Sequence, residues 1–166
     1  MDASRTTRVS ESLGILIVDD FAPFRESLHR IFRDHKSLTI VGEAVDGVGA
    51  IEMAVRLAPH VIIMDVIMPR MSGIEATRRI KRILPDVHVI GVSTLDDTFI
   101  KESMKAAGSS HFVMKDAAHT LPDVISRILQ GRFPSLLHFS LNGSIGLPIR
   151  NMVTIVSENF EFAGTQ

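Results

Sequence analysis

The stretch Leu13-Gly14-Ile15-Leu16-Ile17-Val18-Asp19-Asp20 decides the fold class, because an uninterrupted apolar run ends in two adjacent carboxylates. Short apolar runs without alternation are typical of strands that are covered on both faces, as in parallel sheets. Similar runs occupy residues 61–64, 87–92 and 111–113, and a more mixed one, residues 38–44, is expected nearer a sheet edge. The sequence therefore predicts five strands, most of them buried.

The segments between these runs have the period of amphipathic helices. The predicted buried faces comprise Phe24, Leu28, Ile31, Phe32 and His35 in the first helix, Val48, Ile51, Val55 and Ala58 in the second, and Ile74, Thr77, Ile80 and Leu84 in the third. Ser72 and Glu75 predict a capping box at the start of the third helix. Two more helices are expected, from about Asp96 to Ala107 and from residue 117 or 120 to Gln130. Five strands alternating with five helices predict an α/β fold with a doubly wound, five-stranded parallel sheet.

Composition excludes several functional classes. The chain has 166 residues, a formal net charge of −1 and no Cys. This charge gives no electrostatic basis for a nucleic-acid or membrane-surface binder, and the absence of Cys excludes disulfide scaffolds and thiolate metal sites. No apolar run approaches the roughly 18 residues that a membrane span needs. Residues 1–12 are predicted to be a flexible polar arm rather than a signal peptide, and we expect a cytoplasmic protein.

Chemically active residues follow four of the predicted strands. Asp19 and Asp20 follow the first, Asp65 the third, Ser93 the fourth and Lys115 the fifth. In doubly wound sheets the functional crevice lies beyond the carboxyl ends of the strands, so these side chains are expected to converge. Each residue alone is more often a cap or turn former, but three clustered acids repel one another unless a cation such as Mg²⁺ binds between them. A carboxylate beside Mg²⁺ can accept a phosphoryl group, whose oxygens the lysine and the serine would hold.

The motifs that contain these residues resemble the receiver domain of response regulators in two-component phosphorelays. The resemblance covers about residues 12–131 and implies the flavodoxin-like receiver fold. It rests on Ile17-Val18-Asp19-Asp20, Val61-Ile62-Ile63-Met64-Asp65-Val66-Ile67-Met68-Pro69, Met71-Ser72-Gly73, Val92-Ser93 and Phe112-Val113-Met114-Lys115. Residues 41–44 and 73–77 are similar to receivers of the LuxR/NarL type, which usually carry a helix-turn-helix output domain. No such output domain is expected here.

The resemblance implies roles for the acidic residues. Asp65 matches the aspartate that takes the phosphoryl group from the histidine of a partner kinase. Asp20 matches a direct Mg²⁺ ligand, Asp19 an acid that acts through water, and the backbone carbonyl of Ile67 a main-chain ligand. The side chain of Ile67 is apolar where many relatives are polar.

Further matches imply a conformational switch. Lys115 matches the lysine that contacts the phosphoryl group, Ser93 the switch hydroxyl, and Phe112 the aromatic residue whose rotamer follows that hydroxyl. The fourth helix, fifth strand and fifth helix would form the switched surface, which is expected to contact a downstream protein or a second copy of the chain. The expected phosphodonor is a histidine kinase or histidine phosphotransfer protein, and no direct nucleic-acid or membrane binding is expected. The resemblance implies a signalling switch whose only catalysis is its own phosphorylation and dephosphorylation.

The predicted organisation has three parts: the arm at 1–12, the receiver domain at 13–131 and a C-terminal extension at 132–166 without a recognised output domain. Residues 139–145 have the alternation and Asn-Gly centre of a hairpin, and residues 151–156 are compatible with a strand. The extension is interpreted as a docked β element, a partner-binding strand or a remnant of an output domain.

Two other functional classes remain as alternatives. The first is an interaction module that sequesters a kinase or dimerises with relatives, and its binding would not depend on Asp65. The second is a Mg²⁺-dependent phosphatase of the haloacid dehalogenase type. That chemistry uses a second aspartate two residues after the nucleophile, where this chain has Ile67.

Overall fold

Parallel strands alternate with helices through the whole of residues 12–130, the part of the chain that the computed structural model describes. The strands are β1 (Leu13–Val18), β2 (Leu38–Ala44), β3 (Val61–Asp65), β4 (His88–Ser93) and β5 (His111–Met114). The α-helices are α1 (Ala22–Phe32), α2 (Gly47–Leu57), α3 (Gly73–Ile83), α4 (Thr98–Ala107) and α5 (Leu121–Gln130), with a 3₁₀-helix at Lys115–Thr120 before α5. The predicted α/β fold is confirmed.

The strand order of the sheet is β2-β1-β3-β4-β5, with every pair parallel. This is the flavodoxin-like order, and it reverses direction at β1 and β3. The predicted edge position of β2 is confirmed, and β5 forms the other edge. The crevice for a ligand therefore lies where the carboxyl ends of β1 and β3 meet.

Two apolar layers cover the sheet. Ile15 and Ile17 of β1 point into the layer formed with α1 and α5, whereas Leu16 and Val18 point into the layer formed with α2, α3 and α4. All four side chains are 0% exposed, which confirms the inference from the unbroken apolar run. Burial of this kind stabilises the fold by roughly 1.5–3 kcal/mol for each large aliphatic side chain.

The predicted buried faces of two helices need correction. In α2, Val48 and Val55 are 46% and 37% exposed, and the buried residues include Ala50 and Ala54. Small side chains let the helix lie close to the sheet, so the face with the larger valines turns outward. His35 was predicted on the buried face of α1, but the helix ends at Phe32 and the histidine is exposed.

The predicted capping box of α3 is only half formed. The Ser72 hydroxyl accepts a hydrogen bond from the Glu75 amide at 3.3 Å, as expected. The Glu75 carboxylate pairs instead with Arg78 at 2.5 Å and Arg79 at 2.7 Å. Two charged partners one turn further along the helix compete with the backbone amide for this carboxylate.

Some predictions concern residues outside the described range. These are the arm at 1–12, apart from its last residue, the hairpin and strand predicted within 132–166, and the expectation that this segment holds no output domain. Within residues 12–130, no helix combines the length and the apolar character that crossing a bilayer demands.

Candidate functional site

Five polar side chains meet at the carboxyl end of the sheet and form what we call the acidic pocket: Asp19, Asp20, Asp65, Ser93 and Lys115. One carboxylate oxygen from each aspartate lies within 4.8 Å of the others. All but Asp19 line a cavity of about 640 Å³. The predicted convergence of these residues is therefore what the structure shows, since the ends of β1, β3, β4 and β5 lie at one edge of the sheet.

Lys115 lies between two of the carboxylates. Its ammonium is 2.7 Å from Asp19 Oδ2 and 3.1 Å from Asp65 Oδ2, and its side chain is 13% exposed. Burial alone would lower the pKa of Lys115, but the hydrogen bond with Asp19 and the charges of both carboxylates outweigh it and raise that pKa. Lys115 therefore stays charged and partly neutralises the pocket.

Asp65 retains an electrostatic cost despite this partner. Burial, followed by the negative charge of Asp19, raises the pKa of the Asp65 carboxyl, and the pairing with Lys115 opposes the shift only in part. Three carboxylates face one ammonium, so the acidic pocket carries a formal charge of −2 when all four groups are ionised. Opposite ligands of an octahedral Mg²⁺ are separated by about 4.2 Å, twice its usual metal–oxygen distance. The limit of 4.8 Å between these oxygens is slightly wider than this, so with small side-chain movements their spacing and charge fit a hard divalent cation.

The predicted switch residues lie at different depths. Ser93 is 1% exposed at the end of β4, and its hydroxyl accepts a hydrogen bond from the Leu95 amide at 3.0 Å. Phe112 does not line the acidic pocket; it packs half-buried against the layer of α2, α3 and α4, with the Lys101 ammonium 5.9 Å from its ring centroid. The residue predicted to supply a backbone carbonyl, Ile67, lines the cavity and exposes 56% of its surface.

An apolar rim around the acidic pocket escaped the sequence analysis. Phe21, Ile67 and Leu95 line the cavity and are 60%, 56% and 48% exposed. Phe24, which periodicity assigned to the core, also presents its ring to the Lys115 ammonium at 4.9 Å from the ring centroid. Periodicity indicates that a helical residue is buried, but it does not indicate which charged group from another element lies against it.

A second feature that the sequence analysis missed fixes the loop after β3. Asp46 is 1% exposed, caps the N-terminus of α2 and forms an ion pair with Arg70. The Gly47 amide donates a hydrogen bond to the Met71 carbonyl at 3.2 Å. These contacts hold the loop that contains Ile67 against α2. An aspartate just before a predicted helix is the one local signal that could have identified the cap.

Comparison with known proteins agrees with this geometry. The family model for the response regulator receiver domain matches residues 15–126. A protein-glutamate methylesterase/protein-glutamine glutaminase of Myxococcus xanthus is 44% identical over 116 residues, which are 69% of this chain and 33% of that protein. The transcriptional regulatory protein DegU of Brevibacillus brevis is 33% identical over 72% of this chain and 51% of its own length.

Solved structures extend the comparison. A two-component response regulator of the LuxR family from Aurantimonas sp. SI85-9A1 has a TM-score of 0.68 and 27% identity, covering 72% of this chain and 86% of that one. The chain spans only about a third to a half of the length of the two curated relatives, and those relatives differ in their named activities. The shared part is the receiver, and this chain belongs to the response regulator receiver domain family.

Proposed function

We propose that this chain is a phospho-accepting switch of a two-component phosphorelay, in which Asp65 receives a phosphoryl group from a phosphohistidine in a Mg²⁺-dependent reaction. The observation that carries the proposal is the meeting of three carboxylates and one ammonium at the carboxyl end of the sheet. Membership of the receiver family supports it, since receivers generally act as signalling switches and interact with histidine kinases or phosphotransfer proteins.

Asp19, Asp20, Asp65 and the backbone carbonyl of Ile67 would hold the Mg²⁺ ion. Bound there, the ion would neutralise negative charge on the phosphoryl oxygens. Asp20 is exposed and free to supply an oxygen directly. Asp19 is buried, and its carboxylate accepts a hydrogen bond from the Phe21 amide at 2.9 Å. This difference supports direct coordination by Asp20 and a more indirect role for Asp19.

The transfer itself depends on positioning. A carboxylate oxygen of Asp65 attacks the phosphorus, the phosphorus–nitrogen bond of the donor breaks, and the electron pair of that bond leaves on the donor imidazole. Lys115, already 3.1 Å from the acceptor carboxylate, then pairs with a phosphoryl oxygen. When a donor protein covers the exposed apolar rim, the rim excludes water from around the bond that forms.

The phosphorylated state would bias the surface formed by α4, β5 and α5. Phosphorylation adds between one and two negative charges and three acceptor oxygens. The Ser93 hydroxyl, which now accepts from the Leu95 amide, would turn to donate to one of these oxygens, and Phe112 would move into the space released. Phe99, 76% exposed in the first turn of α4, is placed to contact a downstream protein or a second copy of the chain on this surface.

The test is intact-mass spectrometry after incubation with Mg²⁺ and acetyl phosphate. The wild type should gain one phosphoryl group, whereas Asp65→Ala should gain none. Asp34→Ala is the matched control, because it removes an exposed aspartate between α1 and β2, where the chain enters the amino end of a strand rather than its carboxyl end, and it should leave the adduct intact. Omitting Mg²⁺ should abolish the adduct on the wild type.

Other outcomes would indicate other functions. A folded wild type that gains no adduct but binds a kinase equally well with and without Asp65→Ala would support the interaction module. Turnover of an external phosphate ester would support a phosphatase, which the apolar residue at position 67 disfavours. We place the protein in the cytoplasm, where two-component phosphotransfer takes place, and infer no direct contact with nucleic acid.

A further inference from the structure

Arg25, in the first turns of α1, connects three elements beside the acidic pocket. Its Nε donates to Glu43 Oε2 at 2.6 Å, and an Nη1 hydrogen bond reaches the backbone carbonyl of Asp19 at 2.9 Å. The Arg25 side chain is 17% exposed, and its hydrogen bond to the Asp19 carbonyl is partly buried, whereas its bond to Glu43, whose side chain is 36% exposed, lies at the surface. A single guanidinium thus joins α1, the end of β2 and the residue that follows β1.

The hydrogen bond to Asp19 acts on the main chain beside the acidic pocket. The carbonyl of Asp19 and the amide nitrogen and Cα of Asp20 lie in one planar peptide unit. The Asp19 amide donates to the Ala44 carbonyl at 3.0 Å, which fixes the preceding peptide plane. Arg25 holds the following plane, and with it the positions of the Asp20 nitrogen and Cα from which the exposed Asp20 carboxylate leaves the backbone.

Glu43 in turn limits the freedom of Arg25. Its second oxygen, Oε1, accepts a hydrogen bond from His29 Nε2 at 2.6 Å, so the carboxylate is held from two positions on α1. These contacts lower the pKa of Glu43 and keep it charged at neutral pH. A guanidinium can donate to two separate acceptors in a fixed plane, whereas an ammonium at the same position is a point charge on a flexible stem.

We infer that Arg25 is a positioning residue for Mg²⁺ binding: through the Asp19 carbonyl it orients Asp20, and Glu43 holds it in place. The inference rests on the proposed function and deepens it. Arg25 touches neither the ion nor the phosphoryl group in this assignment. Residues that orient metal ligands from outside commonly change metal affinity by about 10–100-fold when replaced.

The experiment measures Mg²⁺ affinity by isothermal titration calorimetry, because the chain has no Trp or Tyr for fluorescence detection. Arg25→Gln should weaken Mg²⁺ binding by about tenfold, the lower end of that range, because its effect passes through one peptide unit. Arg30→Gln is the matched control, since it removes an exposed arginine from the same helix and should leave the affinity unchanged. Arg25→Lys should bind Mg²⁺ with intermediate affinity. Glu43→Gln should weaken Mg²⁺ binding when Arg25 is present, but it should have no further effect when combined with Arg25→Gln.

The outcomes separate this inference from the proposed function. Wild type that is folded but binds no Mg²⁺ overturns both. Wild type that binds Mg²⁺ while Arg25→Gln binds it equally well overturns the positioning role alone. If Arg25→Gln fails to fold, Arg25→Lys and Glu43→Gln decide: unchanged affinity in both refutes the inference, and weaker binding in both with wild-type circular dichroism supports it.

Discussion

Gly73 begins α3 directly against the backbone of the residue proposed to accept the phosphoryl group. A Cβ atom at this position would lie 1.9 Å from the Asp65 carbonyl oxygen and 2.9 Å from its carbonyl carbon. The Gly73 amide also donates to the Val66 carbonyl at 2.9 Å, which holds the two segments together. Gly73→Ala therefore requires the end of β3 and the start of α3 to separate.

The cost of this separation can be estimated from the distances. Carbon–oxygen contacts of this kind normally lie at about 3.3 Å, so the backbone must yield by more than 1 Å. Overpacking typically costs about 1–3 kcal/mol, and we expect the upper end because the clash is with backbone rather than with a side chain that can rotate. The smaller conformational entropy of alanine in the unfolded chain offsets about 0.4–1 kcal/mol. The net loss in unfolding free energy is about 2 kcal/mol.

Urea denaturation followed by far-ultraviolet circular dichroism measures this loss. With a slope of about 2 kcal/mol per molar urea, the midpoint should fall by about 1 M. Gly49→Ala is the matched control, because its Cβ would meet only Ala44 and Asp46 atoms at 3.6 and 3.7 Å. That variant should be neutral or slightly more stable than the wild type.

Urea midpoints for Gly73→Ala and Gly49→Ala that both equal the wild-type value would refute the steric argument. A lower midpoint for both variants would show that glycine is needed for another reason, such as backbone conformation. Only a loss confined to Gly73→Ala agrees with the close approach of α3 to β3.

Two further predictions concern the charges of the acidic pocket. Lys115→Met leaves the Asp19 and Asp65 side chains, which are 1% and 6% exposed, without their cation. Urea titrations in the presence of a chelator should therefore show an unfolding free energy lower by about 3 kcal/mol. An unchanged midpoint would contradict the pairing. Asp65→Asn removes a carboxyl whose pKa in the folded protein is raised above its ordinary value of 3.8. The folded state therefore binds this proton more tightly than the unfolded state does, and the stability of the wild type falls as pH rises from that value. Without Mg²⁺, the variant should therefore melt above the wild type at pH 7 and lose this advantage below the ordinary pKa; a lower melting temperature at pH 7 would overturn this argument.

Local sequence patterns predicted the elements and the residues at the strand ends. The apolar run of β1 indicated double burial because no polar residue interrupts it, and its side chains are fully buried. The same reasoning failed for α2, where Val48 and Val55 suggested an inward face but Ala50 and Ala54 occupy it. Periodicity identifies apolar stripes on a helix but does not show which stripe faces the sheet. Small residues, which allow close packing, form a stripe with the same period as large ones.

The partner that each polar side chain takes could not be read from the sequence. Ser72 and Glu75 fit a capping box by spacing, yet nearby arginines bind the glutamate. Arg25 gave no signal at all, because its acceptors lie on Asp19 and Glu43 and depend on how α1 crosses the ends of β1 and β2.

The sequence by itself determined the α/β class, the parallel sheet and the convergence of acids after the strands, since chain direction places the carboxyl ends of parallel strands at one edge. Only the tertiary structure decided that Lys115 lies between Asp19 and Asp65, with the ring of Phe24 beside its ammonium. The physical reason is the range of the interactions involved. Hydrophobic periodicity and turn formation act over a few residues. These contacts instead depend on the strand order and on the register that determines where each strand ends relative to its neighbours.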